Sequence, residues 1–292
     1  MEDYLKENNI DYTIDASFKD LTSYKVGGTI KYLVSPTLGD IEGLIKYLKD
    51  NDIDYFILGS GTNFLPSSKY YDGVVIKLDK INAFQIIDDT VTIGAGLNFS
   101  KVALKLASYN YKYYAELSTI PGSMGGMLVM NAGAYGASLS DIIIDALVYK
   151  DGEVKTLKKE EMLLDYRSSI FKDSDYIILS ARFKLIKSEE NESEKQKEFR
   201  MKRSASQPLD KPNAGSVFKN PIGFYAGKLI EDAGLKGYSI GGAKVSERHA
   251  NFIVNYNNAS SEEIFQLIMY VKVEVQKKFG IDLELEIKTF NF

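Results

Sequence analysis

Two glycine-rich stretches hold the residue pattern best suited to chemistry. One is Gly59-Ser60-Gly61-Thr62-Asn63. The other runs from Ala115 to Asp141 and carries Gly122, Gly125, Gly126, Gly133 and Gly136. Glycine has no side chain to keep a ligand at a distance, and successive backbone N–H groups in turns form concavities that hold anions. The chemistry this allows is phosphate binding, and the longer stretch fits the pyrophosphate of a large cofactor. The same glycines suit a pair of tight turns between buried strands equally well. A third loop, residues 207–221, sets Pro208, Pro212 and Pro221 around Ala214-Gly215-Ser216 and ends on Lys219 and Asn220. Three such loops converging on one ligand imply a cofactor domain and a substrate domain across a cleft.

The elements that must position these loops are legible in the apolar pattern. Residues 1–20 read as a polar leading helix and linker. Ile30–Val34 alternates as a strand, and Ile41, Leu44, Ile45 and Leu48 share one helical face. Tyr55–Leu58 is a short apolar strand that opens into the first glycine turn. That beginning resembles half of a dinucleotide fingerprint, but the third glycine is missing and Pro66 stands where a helix should start, which disfavours a Rossmann unit. Residues 73–78 read as a strand, 84–95 as a hairpin, and Asn98 as the cap of a helix carrying Val102 and Leu106. A second hairpin turns at Asp151-Gly152. A short helix over 160–164, a long strand over 176–186 and a charged helix or linker over 187–203 follow. Beyond a boundary near Arg203, a helix over 225–233 closes at Gly234. Ser260 and Glu263 have capping-box spacing before a helix over 261–279, and 283–287 reads as a final strand.

Composition bounds the class. The chain has 292 residues, 45 % hydrophobic and 26 % charged, which suits two or three globular domains with a sizeable core. A net charge of −4 without a basic run argues against nucleic acid or an anionic membrane as partner. With no cysteine, disulfides, thiolate metal sites and cysteine nucleophiles are excluded; with His249 alone, so is a histidine-rich metal site. No metal is expected. The acidic, polar start is unlike a targeting peptide, and no apolar run reaches transmembrane length, so a cytoplasmic protein is expected.

Eight pieces in order carry a family resemblance: Thr22–Gly28; Gly59–Asn63; Ile120–Gly126 with Asn131–Gly136; Tyr166–Phe171; Gln207-Pro208; Ala214–Pro221; Ala226–Ile230; and Gly280–Lys288. Together they span nearly the whole chain and resemble the UDP-N-acetylenolpyruvoylglucosamine reductases, in their more compact second subtype. The resemblance implies an α+β fold: a two-subdomain FAD-binding unit of the vanillyl-alcohol-oxidase (PCMH) type, with a separate α/β substrate-binding domain. The divisions expected are 1–79 and 80–203 for the two FAD-binding subdomains, 204–280 for the substrate-binding domain, and 281–292 for a C-terminal strand returning to the active site. It also implies non-covalent FAD, NADPH as co-substrate, and hydride addition to the enolpyruvyl group of a UDP-sugar to give a D-lactyl ether. With no cysteine, and the one histidine outside the flavin loops, a covalent flavin link is not expected.

The resemblance assigns roles residue by residue. Gly59, Ser60, Gly61, Thr62, Asn63, Pro121, Gly122, Ser123, Gly125, Gly126, Asn131, Ala132 and Gly133 fall on cofactor-binding positions. Arg167 falls on the arginine that meets the substrate carboxylate, where charge builds as an enediolate after hydride addition; its planar fork suits a carboxylate. Ser216 falls on the proton donor and Glu286 on the acidic residue near the C-terminus. Read without the family, Arg167 is an ordinary ion-pair arginine, Ser216 a turn serine, and Glu284 shares strand parity with Glu286. Tyr166, Lys219, Asn220, Arg203 and Lys228 are substrate-binding candidates, with Lys219 suited to a phosphate as a point charge. His249 reads as a structural hydrogen-bonder. Two positions depart from the family: Thr62 where glycine-rich Gly-Ser is commoner, and Lys288 where arginine is usual. Alternatives to the reductase are an FAD-dependent oxidase or dehydrogenase of the same fold acting on another sugar or alcohol, and a silent flavin-binding protein.

Overall fold

The structure, a computed structural model, describes residues 1–292. The backbone groups into two compact units, each assembled from separate stretches of chain. The first takes residues 1–14, 32–60 and 72–201; the second takes 15–31, 61–71 and 202–292. Each has its own apolar core.

In the first unit the main sheet has five antiparallel strands. Its order is Glu153–Lys158, Ile143–Lys150, Ile177–Lys184, Thr90–Gly94, Phe84–Ile87. Both expected hairpins are present, because Asp88 in one and Asp151-Gly152 in the other supply turn residues with positive φ. On this sheet Asp145 pairs directly with Arg182, whose two hydrogen bonds hold the carboxyl below its usual range. A smaller sheet runs in the order Asp11–Ser17, Thr29–Ser35, Tyr71–Ile76, Tyr55–Ile57, with the last pair parallel. The helix Ile41–Asp50 buries Ile41, Leu44, Ile45 and Leu48, as its periodicity requires. The helix Phe99–Ser108 is capped by Asn98, whose side chain accepts from Lys101 N.

The second unit packs the helices Ala226–Asp232 and Ser261–Phe279 with a three-stranded sheet, Ser239–Ile240, Ala243–Val245 and Ile253–Asn255. The long helix carries the full capping box at Ser260 and Glu263 and ends on Gly280 at φ 71°. It buries Ile264, Leu267, Ile268, Val271 and Val275.

Three local readings are corrected. Residues 1–20 hold a six-residue helix followed by a strand, Asp11–Ser17, and not a helix and linker. The strand lies at a sheet edge with most of its side chains exposed, so it lacks the apolar alternation that marks half-buried strands. At the other end, 283–287 makes only one isolated bridge, Phe218 with Leu285; the ladder forms at Lys288–Phe290, which pairs in parallel with Phe64–Pro66. The long glycine-rich stretch is also more than a pair of turns. Met124–Val129 is a short helix that buries Met124, Met127 and Leu128. Its glycines allow close packing there: a Cβ on Gly125 would stand 3.4 Å from that of Ala95. No helix is long and apolar enough to cross a membrane.

Candidate functional site

The candidate residues fall into two groups, one in each unit, and the chain passes from one unit to the other between Ser60 and Gly61.

In the first unit the strand Tyr55–Ile57 delivers Gly59 against the start of the helix Met124–Val129. Ser123 is that helix's cap, its hydroxyl accepting from Gly126 N. The space between is kept open by missing side chains. A Cβ on Gly59 would lie 2.8 Å from Ser123 Oγ, and one on Gly126 would lie 3.3 Å from it. A cavity of about 90 Å3 opens here, lined by Ile57, Gly59, Ala95, Gly96, Ser123 and Gly126. Pro121 is exposed and Gly122 buried, its carbonyl accepting from Phe99 N.

Lys77, which the sequence did not single out, donates to the carbonyl oxygen of Gly59. Its side chain is only 12 % exposed, and burial draws its ammonium below the usual lysine range while Asp79 opposes the shift. A nearly buried cation beside a bare-backbone turn is what a diphosphate requires. Together with the side-chain-free cradle, it makes this part of the chain fit the pyrophosphate of FAD.

Asn131 sits in the left-handed region at φ 38° and is buried. Its amide is spent inside the protein: Nδ2 donates to Asp165 O and Oδ1 accepts from Ser140 N. Its own N–H donates to Leu128 O, and that of Ala132 donates to Met127 O, so the turn is braced from within the protein. The bond to Asp165 ties this turn to the segment carrying Tyr166 and Arg167. Arg167 also has positive φ, 54°, and its Nη2 donates to Gly133 O at 3.0 Å. Its guanidinium lies 5.2 Å from the ring centre of the half-exposed Tyr166. Left-handed geometry at a residue that does not favour it costs about 1–3 kcal/mol and persists only where surroundings enforce it. Here the arginine head is held by a carbonyl that is itself part of the glycine-rich stretch.

In the second unit, Gly61 is locked at φ 64°, with space for a Cβ only 2.0 Å from Leu21 O. Asn63 follows and bridges to the C-terminal segment: Nδ2 donates to Glu286 O, and its own carbonyl accepts from Lys288 N. Glu286 N in turn donates to Val217 O at 2.8 Å, and Lys219 N donates to Glu284 O. Asn63, Glu286 and Val217, the residue after Ser216, thus belong to one hydrogen-bonded assembly. Gly215, at φ 80°, turns the chain into Ser216, and its N–H is held by Asn213 Oδ1. Glu284 is exposed and salt-bridged to Lys219, while Glu286 is half-buried; strand parity is equal, but the surroundings separate them.

The other substrate-binding candidates are distributed unevenly. Asn220 Oδ1 accepts from Ala226 N, which opens the next helix. Lys228 forms an exposed pair with Asp232 on the outside of that helix. Arg203 lies on the helix Glu192–Ser206, and its carbonyl accepts from Gln207 N. His249 is half-buried; Nδ1 accepts from Asn251 N, and burial holds its pKa below the usual histidine value. No group of side chains has the makings of a metal site.

Comparison with known proteins finds two matching domain families. Residues 31–158 match an FAD binding domain, and residues 207–290 match the C-terminal domain of UDP-N-acetylenolpyruvoylglucosamine reductase. The UDP-N-acetylenolpyruvoylglucosamine reductase of Caldanaerobacter subterraneus is 41 % identical over 99 % of this chain and 96 % of its own. That of Clostridium tetani is 42 % identical over 92 % and 89 %. The crystal structure of the UDP-N-acetylenolpyruvylglucosamine reductase from Thermus caldophilus superposes with a TM-score of 0.81 at 28 % identity, covering 97 % of this chain and 99 % of that one. Such coverage by reductases, in both halves, favours a reductase over an oxidase that shares only the flavin fold.

Proposed function

This chain belongs to the UDP-N-acetylenolpyruvoylglucosamine reductase family, and from that membership we propose how its own residues carry the reaction. The protein is an FAD-dependent oxidoreductase that uses NADPH to reduce UDP-N-acetylglucosamine enolpyruvate to UDP-N-acetylmuramate, a step of peptidoglycan precursor synthesis. FAD supplies, when bound, the hydride it has accepted from NADPH, and that hydride is added to the terminal alkene carbon of the substrate.

The bare backbone at Gly59–Asn63 and Pro121–Gly126 holds the pyrophosphate, with Lys77 as the buried countercharge. Arg167 meets the substrate carboxylate. As the alkene is reduced, charge moves from the adjacent carbon into that carboxylate, and a fixed guanidinium lowers the barrier. Ser216 donates its hydroxyl proton to that carbon. A serine is a weak acid, so the step needs hydrogen-bond reach and a partner that restores the proton; we assign that role to Glu286. Lys219 and Asn220 receive the sugar-nucleotide diphosphate, with Tyr166, Arg203 and Lys228 as further contacts. Lys219 must leave Glu284 for the phosphate. We place the protein in the cytoplasm, where its two charged co-substrates are held; cell fractionation finding it chiefly in an envelope fraction contradicts this.

One observation carries the assignment of donor and partner: Val217, the residue after Ser216, is hydrogen-bonded directly to Glu286 N. The two candidate proton-handling residues therefore lie on neighbouring segments joined by a backbone hydrogen bond. The test separates the half-reactions. In a Ser216→Ala variant, bleaching of the flavin by NADPH should proceed at the parent rate. Reoxidation by the enolpyruvyl substrate should slow by about 10²–10⁴, the usual share of a general acid. Reoxidation at the parent rate removes Ser216 from the mechanism.

A further inference from the structure

The segment that carries Ser216 is clamped by a residue outside every motif named above. Asn251 is 4 % exposed. Its side-chain Oδ1 accepts from Phe218 N at 3.0 Å, and its Nδ2 donates to Phe218 O at 2.8 Å. Its main-chain carbonyl accepts from Val217 N at 2.8 Å. A carboxamide has one acceptor and one donor set like those of a peptide unit, so it pairs with both backbone groups of a single residue as a neighbouring strand would. On the far side of the same segment the strand places are taken by real backbone: Glu286 N to Val217 O, and Lys219 N to Glu284 O. The peptide joining Ser216 to Val217 is thus fixed through its N–H by Asn251, and the next carbonyl is fixed by Glu286.

Asn251 is itself held. Its N–H donates to Nδ1 of His249, whose own N–H reaches Ser246 Oγ. Gly227, in the helix that Asn220 opens, packs against both: a Cβ there would come 3.2 Å from His249 Cε1 and 3.6 Å from Asn251 Cβ. The titratable groups around this cluster are His249 on its own turn, Lys219, Glu284 and Glu286 on the strands beside Phe218, and Glu231 and Lys236 beyond His249.

We propose that Asn251 is a positioning residue for proton delivery, acting as a side-chain strand that sets the backbone behind Ser216, with His249 bracing it. The inference rests on Ser216 being the proton donor. A shift of about 1 Å in a reacting group can cost on the order of 100-fold in rate, and only the step that uses that group suffers.

Asn251→Leu removes both side-chain bonds at similar volume. Asn251→Asp keeps the acceptor but turns a lone pair toward Phe218 O; once protonated, the carboxyl regains a donor and imitates the amide. In the holoenzyme of each variant, NADPH should bleach the flavin at the parent rate. Reoxidation by the enolpyruvyl substrate should be about 100-fold slower at neutral pH. For Asn251→Asp, the deficit relative to the parent at the same pH should shrink as pH falls. The double variant Ser216→Ala/Asn251→Leu should be no slower than Ser216→Ala alone. The proposal is overturned by reoxidation at the parent rate in both Asn251 variants, by a deficit in Asn251→Asp that ignores pH, or by losses that multiply in the double variant. It is equally overturned if both variants lose FAD and melt early at every pH, since Asn251 is then a folding residue. Parent-rate reoxidation in Ser216→Ala is a different failure: it rejects the donor itself, whereas a slow Ser216→Ala beside normal Asn251 variants rejects only the clamp.

Discussion

The turn at Gly59 and the segment at Phe218 are both held in place, by opposite means. At Gly59 the chain has removed side chains, leaving backbone that faces a cavity and a hydroxyl cap on the facing helix. At Phe218 it has added one, a buried carboxamide that takes the place of missing backbone. Under the proposed roles, the difference follows from what each must present. A phosphate is gripped by N–H groups, which need bare approach. A proton donor is a side chain, and its backbone must be clamped from behind, where no ligand comes.

Changes at the glycines should have the largest effect. Gly61→Ala places a Cβ 2.0 Å from a carbonyl oxygen at positive φ. Backbone cannot step aside as a side chain can, so a loss of about 3 kcal/mol or more is expected, read as a collapse of the melting temperature and of FAD content. A melting temperature within a few degrees of the parent would show that the turn relaxes. Gly59→Ala is milder, because the atom it meets is a hydroxyl that can rotate away. It should cost the Ser123 cap, about 1 kcal/mol, and weaken FAD binding by about tenfold in a fluorescence titration of the apoprotein. Lys77→Met keeps the packing of the stem and removes the charge. FAD should bind about tenfold more weakly, with a smaller dependence on salt; an unchanged dissociation constant would place Lys77 in fold support alone.

In the second unit, pH sharpens the contrast. His249 has a folded-state pKa below its unfolded one, so the unfolded chain takes up the proton first. Stability should be complete above the ordinary histidine pKa and decline as pH falls below it, by at most about 1.4 kcal/mol per pH unit. His249→Phe should lose that slope in urea titrations between pH 7 and 5; a slope that survives assigns it to carboxylates. The smallest effect belongs to Lys228→Ala, whose exposed partner Asp232 is one helical turn away. No change in melting temperature is expected, so any rise in KM for the sugar nucleotide would report on substrate binding alone.

Much of this was legible in the sequence. Helix faces, hairpin turns and caps are local, and Asn98, Ser260 and the Asp151-Gly152 turn stood where their chemistry placed them. The edge strand Asp11–Ser17 was not, because exposure erases periodicity. The helix inside the second glycine stretch was hidden by its composition: two glycines lower helix propensity, and only the close approach of Gly125 to Ala95 and of Gly126 to Ser123 Oγ explains them. At the candidate site, the family resemblance singled out Arg167 and Ser216 but not their supports. Asn251 lies 33 residues from Phe218, and Lys77 lies 18 from Gly59. A side chain spent on distant backbone leaves no period and no motif. The ambiguity between Glu284 and Glu286 is of the same kind, since parity is local and burial is not.

The bond between Asn63 and Glu286 joins residues 223 positions apart, and the parallel pair Phe64–Pro66 with Lys288–Phe290 forms beside it. During synthesis, the early strand therefore waits with its edge open until nearly all of these residues have left the ribosome. Closing so long a loop is slow, and an unpaired strand edge is prone to the wrong partner meanwhile. The assembly joining Asn63, Val217 and Glu286 is thus among the last parts able to form. A nascent chain stalled before residue 280 would lack the third strand of that assembly while already holding every residue of the first unit.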